Sequence, residues 1–163
     1  MQNRIRSEAC RVTVVCVDSA EDGLLTGRLY NPYLSAGVEF KNLMQFLLTM
    51  ETLLDELQLP QSFNTQRSFG HPEEPLVTLA DSGPQRGKAA TFSVRVIFRQ
   101  NASWQGSVTW LEGEKEESFR SVLELVLLMY SATGDENNRK KAKSGTRFSA
   151  LPAKQKTPCD PGA

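Results

Sequence analysis

The sequence has 163 residues, of which 39% are hydrophobic and 23% charged, so it has room for a single compact domain and a tail. Basic and acidic side chains balance at 19 each, and a zero net charge argues against a strongly basic domain that binds nucleic acid or membranes. The zero is a cancellation, because residues 1–134 hold 12 basic and 16 acidic side chains while residues 135–163 hold 7 and 3.

The sequence predicts no segment that crosses a membrane or directs export. Its richest apolar runs, Leu43–Met50 and Val122–Tyr130, are far shorter than the roughly 18 apolar residues of a membrane span. The polar N-terminus lacks the apolar core of a signal peptide. The three cysteines, Cys10, Cys16 and Cys159, lack the spacing of a zinc site or a local disulfide. We therefore expect a cytoplasmic protein with no membrane partner.

The first part of the chain predicts a β-hairpin followed by a helix. Residues Cys10–Val17 are rich in β-branched side chains and indicate a strand, and a turn leads to a second strand at Leu24–Tyr30. A helix is predicted from Phe40 until Pro60 ends it. Apolar residues at helical spacing predict the stripe that this helix buries, which consists of Phe40, Leu43, Met44, Leu47, Leu48 and Leu54.

The same helix carries a second apolar set on its other side. A helix that is apolar on nearly all sides must be covered on more than one side, either by the rest of the fold or by a second subunit. The predicted partner-binding residues are therefore Phe46, Met50, Leu53 and Leu57.

The connection over residues 60–90 contains four prolines, three glycines and a short strand predicted at Leu76–Leu79. It also contains the single histidine of the chain, His71, with no neighbouring cysteine or paired carboxylate in the sequence. We interpret His71 as a solvated loop residue rather than a catalytic base.

The second part of the chain predicts another hairpin and another helix. Residues Thr91–Arg99 alternate between apolar and polar, as a half-buried strand does, and a second strand is predicted at Trp104–Leu111. A turn over Glu112–Lys115 follows, and Ser118 is the predicted cap of a helix that begins near Phe119. The predicted buried stripe of this helix consists of Phe119, Val122, Leu123, Val126, Leu127 and Tyr130.

The chain repeats itself at an offset of 79 residues. Residues 27–50 align with residues 106–129 without a gap, and the apolar positions of the two segments match. The identical pairs are Gly27/Gly106, Phe40/Phe119, Leu48/Leu127 and Met50/Met129. This pattern predicts an internal duplication.

The predicted fold is α+β, with duplicated ββα units forming an antiparallel sheet and two helices packed on one face. The first unit spans residues 1–59 and the second spans residues 91–133, both within one domain. Residues 60–90 connect the units, and residues 134–163 are predicted to be a disordered basic tail. The core is expected around Phe92, Val94, Val96, Phe98, Phe40 and Phe119.

Enzyme signatures are scarce in this sequence. No glycine-rich phosphate loop, nucleophile elbow or zinc-binding helix motif occurs, so we expect no catalytic residue, no metal and no cofactor. An acidic group consists of Glu112, Glu114, Glu116 and Glu117. We interpret it as a solvated turn before a helix N-terminus, which favours negative charge; a cation or a basic partner is the alternative.

A second hypothesis is nucleic-acid binding. Four cations in five residues at 139–143 suit phosphate contacts made by a flexible arm. Two arginines in the strand at 91–99 are predicted on the open sheet face, where basic and aromatic residues together bind single strands. The predicted nucleic-acid-binding residues are Arg95, Arg99, Arg139, Lys140, Lys141 and Lys143.

The string RQNASWQGSVTWLEG followed by SFRSVLELVLLM resembles a family of short, uncharacterised proteins of Clostridia with a WQGxVTWLEG and FRSxLEL pattern. The resemblance covers residues 92–130 and implies no activity, ligand or site residue. The leading hypothesis is a cytoplasmic, non-catalytic binding protein that acts through a protein partner or through self-association. Nucleic-acid binding is the first alternative, and a small-molecule enzyme is the second.

Overall fold

The computed structural model describes residues 8–65, 67–70, 77–81 and 83–141, with residues 135–141 as backbone only. The described chain forms an antiparallel sheet with strand order β4-β3-β2-β1-β5-β6-β7 and two helices. The predicted α+β class is confirmed. The elements are β1 (Val12–Ser19), β2 (Thr26–Tyr30), β3 (Val38–Phe40), α1 (Leu43–Leu57), β4 (Thr78–Leu79), β5 (Ala90–Gln100), β6 (Ser103–Trp110), β7 (Lys115–Phe119) and α2 (Val122–Lys141).

Three strands precede each helix, where two were predicted. Phe40 and Phe119, which were expected to start the helices, are the last residues of β3 and β7. Each lies opposite a glycine of the neighbouring strand, Gly27 or Gly106. A Cβ on Gly27 would lie only 2.7 Å from the Phe40 ring, so the glycine leaves room for the phenyl group. The predicted ββα unit therefore lacked its third strand.

The two hairpins of the sheet have the same register. Val17 lies opposite Gly27, and Val96 lies opposite Gly106, 79 residues further along the chain. Both hairpins also shift register directly after these pairs, at Ser19 and Phe98 respectively.

The pairing at the centre of the sheet relates the two halves by a local two-fold axis. β1 and β5 are antiparallel neighbours, and Val14 lies opposite Ser93, its counterpart at the offset of 79. On either side of this pair, every β1–β5 pairing has its symmetric equivalent. The halves therefore repeat in strand order and register, while a common origin by duplication stays a prediction.

The core lies between one face of the sheet and the two helices. Inward-facing residues alternate along the strands, as expected for a sheet covered on one side. The buried strand residues are Val15, Val17, Leu29, Phe40, Ala90, Phe92, Val94, Val96, Trp104, Val108 and Phe119, and the helices add Phe46, Met50, Leu54, Leu125, Met129 and Ala132. Of the residues expected in the core, Phe98 is the exception, since it is 52% exposed.

Both helices begin with a capping box. The Gln45 N–H donates to the Asn42 side chain at 2.8 Å, and the Gln45 side chain accepts from the Lys41 N–H at 2.8 Å. In α2 the same two bonds join the Glu124 N–H to Ser121, at 3.2 Å, and the Arg120 N–H to the Glu124 carboxylate, at 2.6 Å. The predicted cap at Ser118 was wrong, because that residue lies in β7.

The helices turn a different side to the core from the one predicted. In α1 the second apolar set, Phe46, Met50, Leu53 and Leu57, is buried within the chain itself. These four predicted partner-binding residues are therefore inaccessible, and the rest of the fold covers them. Met44 and Leu48, predicted inside, are exposed. The error arose because Phe40 and Phe119 were counted as the first residues of helical stripes although they belong to strands.

The uncovered sheet face is partly closed in the first half by the chain that enters β5. Arg28 donates to both carboxylate oxygens of Asp18, at 3.0 and 2.9 Å, and to the carbonyl of Arg86 at 2.8 Å. Beside them Cys16 is fully buried, and burial raises its pKa to about 11. Its thiolate is therefore not available as a nucleophile at neutral pH.

Helix α2 continues to Lys141, into the segment predicted to be a disordered tail. Residues 142–163, the remainder of that predicted tail, lie outside the described residues. Neither described helix is long and apolar enough to span a membrane.

Candidate protein-binding surface

Five large apolar side chains on the two helices point away from the sheet into solvent. They are Met44 and Leu48 of α1 and Leu123, Leu127 and Tyr130 of α2, with exposed fractions of 65%, 40%, 67%, 58% and 56%. We call these five residues the helix patch. Single exposed apolar residues are common on protein surfaces, but a cluster of this kind marks an interaction site.

The helix patch arises from the spacing of residues along both helices. Met44 and Leu48 are four residues apart, and so are Leu123 and Leu127, so each pair lies on one helical face. Leu123 and Leu127 are also the counterparts of Met44 and Leu48 at the offset of 79. The patch therefore carries the same approximate two-fold relation as the sheet below it.

A cavity of about 130 Å³ shows that the two helices meet beside the patch. Leu43, at the start of α1, lines it together with Leu127 and Tyr130 of α2. The turn between β1 and β2 closes the cavity with Ala20 and Leu25. The cavity is almost entirely apolar, so it extends the patch inward rather than offering a polar binding site.

A charged cluster occupies the symmetry-related position at the other end of the helix layer. There Arg99 of β5 binds Glu51 and Asp55 of α1, and the Trp104 indole N–H donates to Glu51 at 2.5 Å. Arg99 is only 4% exposed. Burial by itself would lower the pKa of Arg99, but the hydrogen bonds to Glu51 and Asp55 outweigh it and raise the pKa above its ordinary value. This end is closed by buried charges, whereas the related end exposes apolar side chains.

The predicted nucleic-acid-binding residues do not come together on one surface. The register shift between Val96 and Phe98 turns Arg99 to the helix side, where it is buried in the charged cluster. Arg95 lies on the open sheet face, half exposed, and pairs with Glu8 at 3.3 Å. Arg139, Lys140 and Lys141 belong to the last turns of α2, where only the backbone is described, and Lys143 lies outside the described residues.

A second cavity, of about 180 Å³, lies between α2 and strands β5 to β7. Its polar lining residues are Lys115, Glu117 and Ser131, so it holds no pair of carboxylates for acid–base chemistry. His71 lies outside the described residues. In the part of the chain that the structure describes, no group of three or more His, Cys, Asp or Glu side chains is arranged to hold a metal ion.

Comparison of the chain with protein-family models, with curated proteins and with solved structures finds no match.

The patch was missed from the sequence because its residues were assigned to the buried stripe. The available signal was the capping box. The patterns Asn42-x-x-Gln45 and Ser121-x-x-Glu124 place the helix starts at Leu43 and Val122, which removes Phe40 and Phe119 from the helices.

Proposed function

We propose that this chain is a non-catalytic interaction protein that binds a protein partner, or a second copy of itself, through the helix patch. The observation that supports the proposal is the exposure of Met44, Leu48, Leu123, Leu127 and Tyr130 on adjacent helices. Burying such side chains against a partner contributes about 1.5–3 kcal/mol for each one fully covered. A few of them are enough to dominate the energy of an interface.

Self-association is the first form of the proposal to test. A two-fold interface joins the same surface on both subunits, and a patch that is itself approximately two-fold symmetric can match a second copy in this way. The charged cluster at Arg99 lies outside the patch, so no buried ion pair has to be broken on association.

A charge-introducing variant tests the helix patch. We expect Leu123→Glu together with Leu127→Glu to abolish association while leaving the fold intact, because both side chains are exposed and a charge at an apolar interface loses its water without gaining a partner. Sedimentation velocity over a concentration series measures the association, and circular dichroism checks the fold. The matched control is Gln61→Glu with Gln85→Glu, which adds the same charge at exposed positions away from the patch.

A partner other than a second copy requires a different measurement. A photo-crosslinking residue is placed at position 127 in the full chain inside its native cells, with the same residue at position 85 as the control. Products specific to position 127 support the proposal. A protein that is monomeric at all concentrations and yields no such product contradicts it.

Nucleic-acid binding is the alternative proposal, favoured by one group on the open sheet face. Arg95 lies there near Phe98, which is 52% exposed, and a cation beside an exposed aromatic ring is typical of surfaces that stack unpaired bases. A fluorescence titration with single- and double-stranded oligonucleotides at several salt concentrations tests it. Affinity should fall steeply with salt and weaken in Phe98→Ser; no binding at low salt contradicts this alternative.

A further inference from the structure

The two edges of the sheet differ although the halves share one register. At one edge β4 pairs with β3, with Thr78 opposite Glu39 and Leu79 opposite Val38. At the other edge β7 pairs only with β6 among the described strands. An open edge exposes backbone groups that accept another strand, and proteins ordinarily close or protect such edges.

The offset of 79 residues identifies the segment that corresponds to β4. β7 lies beside β6 as β3 lies beside β2, so Glu117 and Ser118 are the counterparts of Val38 and Glu39. The counterparts of Thr78 and Leu79 are then residues 157 and 158. These residues follow the described part of the chain.

We propose that residues 156–160 pair antiparallel with β7 as an eighth strand of the sheet, with Thr157 opposite Ser118 and Cys159 opposite Glu116. The proposal does not rest on the helix patch or on any partner. It closes the open edge with a segment of the chain itself.

The backbone pattern of the β3–β4 edge is compatible with a proline at position 158. The Ala80 N–H donates to the Gly37 carbonyl at 2.8 Å, so Gly37 and Ala80 form a hydrogen-bonded pair. Because such pairs alternate along an antiparallel ladder, the N–H of Leu79 points away from β3. Its counterpart, Pro158, has no N–H and loses nothing in this position, which is where edge strands tolerate proline.

The charges of the two segments are complementary in this register. β7 and the turn before it carry Glu112, Glu114, Glu116 and Glu117, and residues 135–163 carry a basic excess. Lys156 would lie diagonally across from Glu117 on one face of the sheet, and Asp160 would lie opposite Lys115 on the same face. Opposite charges at such positions stabilise neighbouring strands.

The chain is long enough for this return. Helix α2 has 20 residues and is therefore about 30 Å long, and it begins directly after β7. The 16 residues from Ala142 to Thr157 span up to about 50 Å when extended. The tail can therefore return from the end of the helix to the edge where the helix began.

Amide hydrogen exchange by NMR on the full chain tests the pairing. The N–H groups of Glu116 and Ser118 point to the open edge, so the added strand should slow their exchange at least about tenfold relative to the Thr157→Pro variant. The inward N–H groups of Glu117 and Phe119, which face β6, should not change. Gly162→Pro is the matched control outside the ladder and should leave all four amides protected.

Three outcomes would overturn the proposal. The first is fast exchange at Glu116 and Ser118 in the unaltered chain, and the second is equal protection in Thr157→Pro. The third is protection that disappears on dilution, because the tail of a second copy would then supply the strand.

A cross-link gives an independent measurement. Hydrogen-bonded antiparallel pairs have Cα atoms about 5.5 Å apart, within the range of a disulfide. The Glu116→Cys variant should therefore form an intrachain disulfide with the native Cys159 in a glutathione redox buffer, whereas Gln85→Cys should not. Equal cross-linking of both variants would count against the proposed register.

Discussion

Replacing Gly106 by alanine is expected to destabilise the fold by about 3 kcal/mol or more. A Cβ at this position would lie 1.9 Å from the Arg95 carbonyl oxygen of the neighbouring strand, and neither atom belongs to a flexible side chain. The backbones of β5 and β6 would have to separate next to their register shift, which breaks hydrogen bonds of the ladder. Urea unfolding followed by circular dichroism measures the loss of free energy.

The control for Gly106→Ala is Gly134→Ala. Gly134 lies in α2, and an added Cβ meets no atom within 4 Å, so alanine should raise stability by up to about 1 kcal/mol through helix propensity. Gly27→Ala should behave like Gly106→Ala, because its Cβ would lie 2.0 Å from the Cys16 carbonyl oxygen. An unchanged urea midpoint in Gly106→Ala would contradict the close approach of these strands.

Removing the Glu51 carboxylate is expected to cost about 2–4 kcal/mol of folding free energy. Glu51→Ala leaves the buried Arg99 with Asp55 as its remaining carboxylate partner and takes away the acceptor of the Trp104 indole N–H. A buried charge that loses a partner keeps the cost of leaving water. Thermal and urea unfolding measure the change.

Two further variants separate charge from packing in this cluster. Asp55→Ala should cost about 1 kcal/mol or less, because Asp55 is more than half exposed and water screens its interaction with Arg99. The double variant Glu51→Leu with Arg99→Met should recover most of the stability that Glu51→Ala loses, since no buried charge remains. If Glu51→Ala and Asp55→Ala were equally mild, Arg99 would not depend on Glu51.

The sequence predicted the parts of the fold that depend on local pattern. The strand at 91–99 was found because Phe92, Val94 and Val96 alternate with polar residues, and its neighbour at 104–111 was found as well. The α+β class followed from two hairpins and two helices. These signals come from residues close together in the chain, where periodicity reports burial directly.

The third strand of each half was not predictable by the same means. β7 has the sequence KEESF, with four exposed residues, so it lacks the apolar alternation of a half-buried strand. β3 has only three residues. Both strands are defined by pairing with a neighbour, and the identical Gly27/Phe40 and Gly106/Phe119 pairs were their only trace in the sequence.

The candidate site depended on the orientation of the helices. When apolar residues lie on both sides of a helix, periodicity alone does not choose the side that faces the core. Including Phe40 and Phe119 favoured the wrong side, so Met44 and Leu127 were predicted inside while Phe46 and Met50 were predicted outside. Arg99 was misplaced for a related reason, because a single register shift moves every following side chain to the other face.

The placement of Glu51 and Tyr130 has a consequence for how the chain folds. Each helix reaches the hairpin of the opposite half, α1 through Glu51 and Trp104, and α2 through Tyr130 and Leu25. The central β1–β5 pairing also joins residues far apart in the sequence. Neither half has a complete set of contacts until the other is in place, so we expect one cooperative unfolding transition and slow folding typical of high contact order.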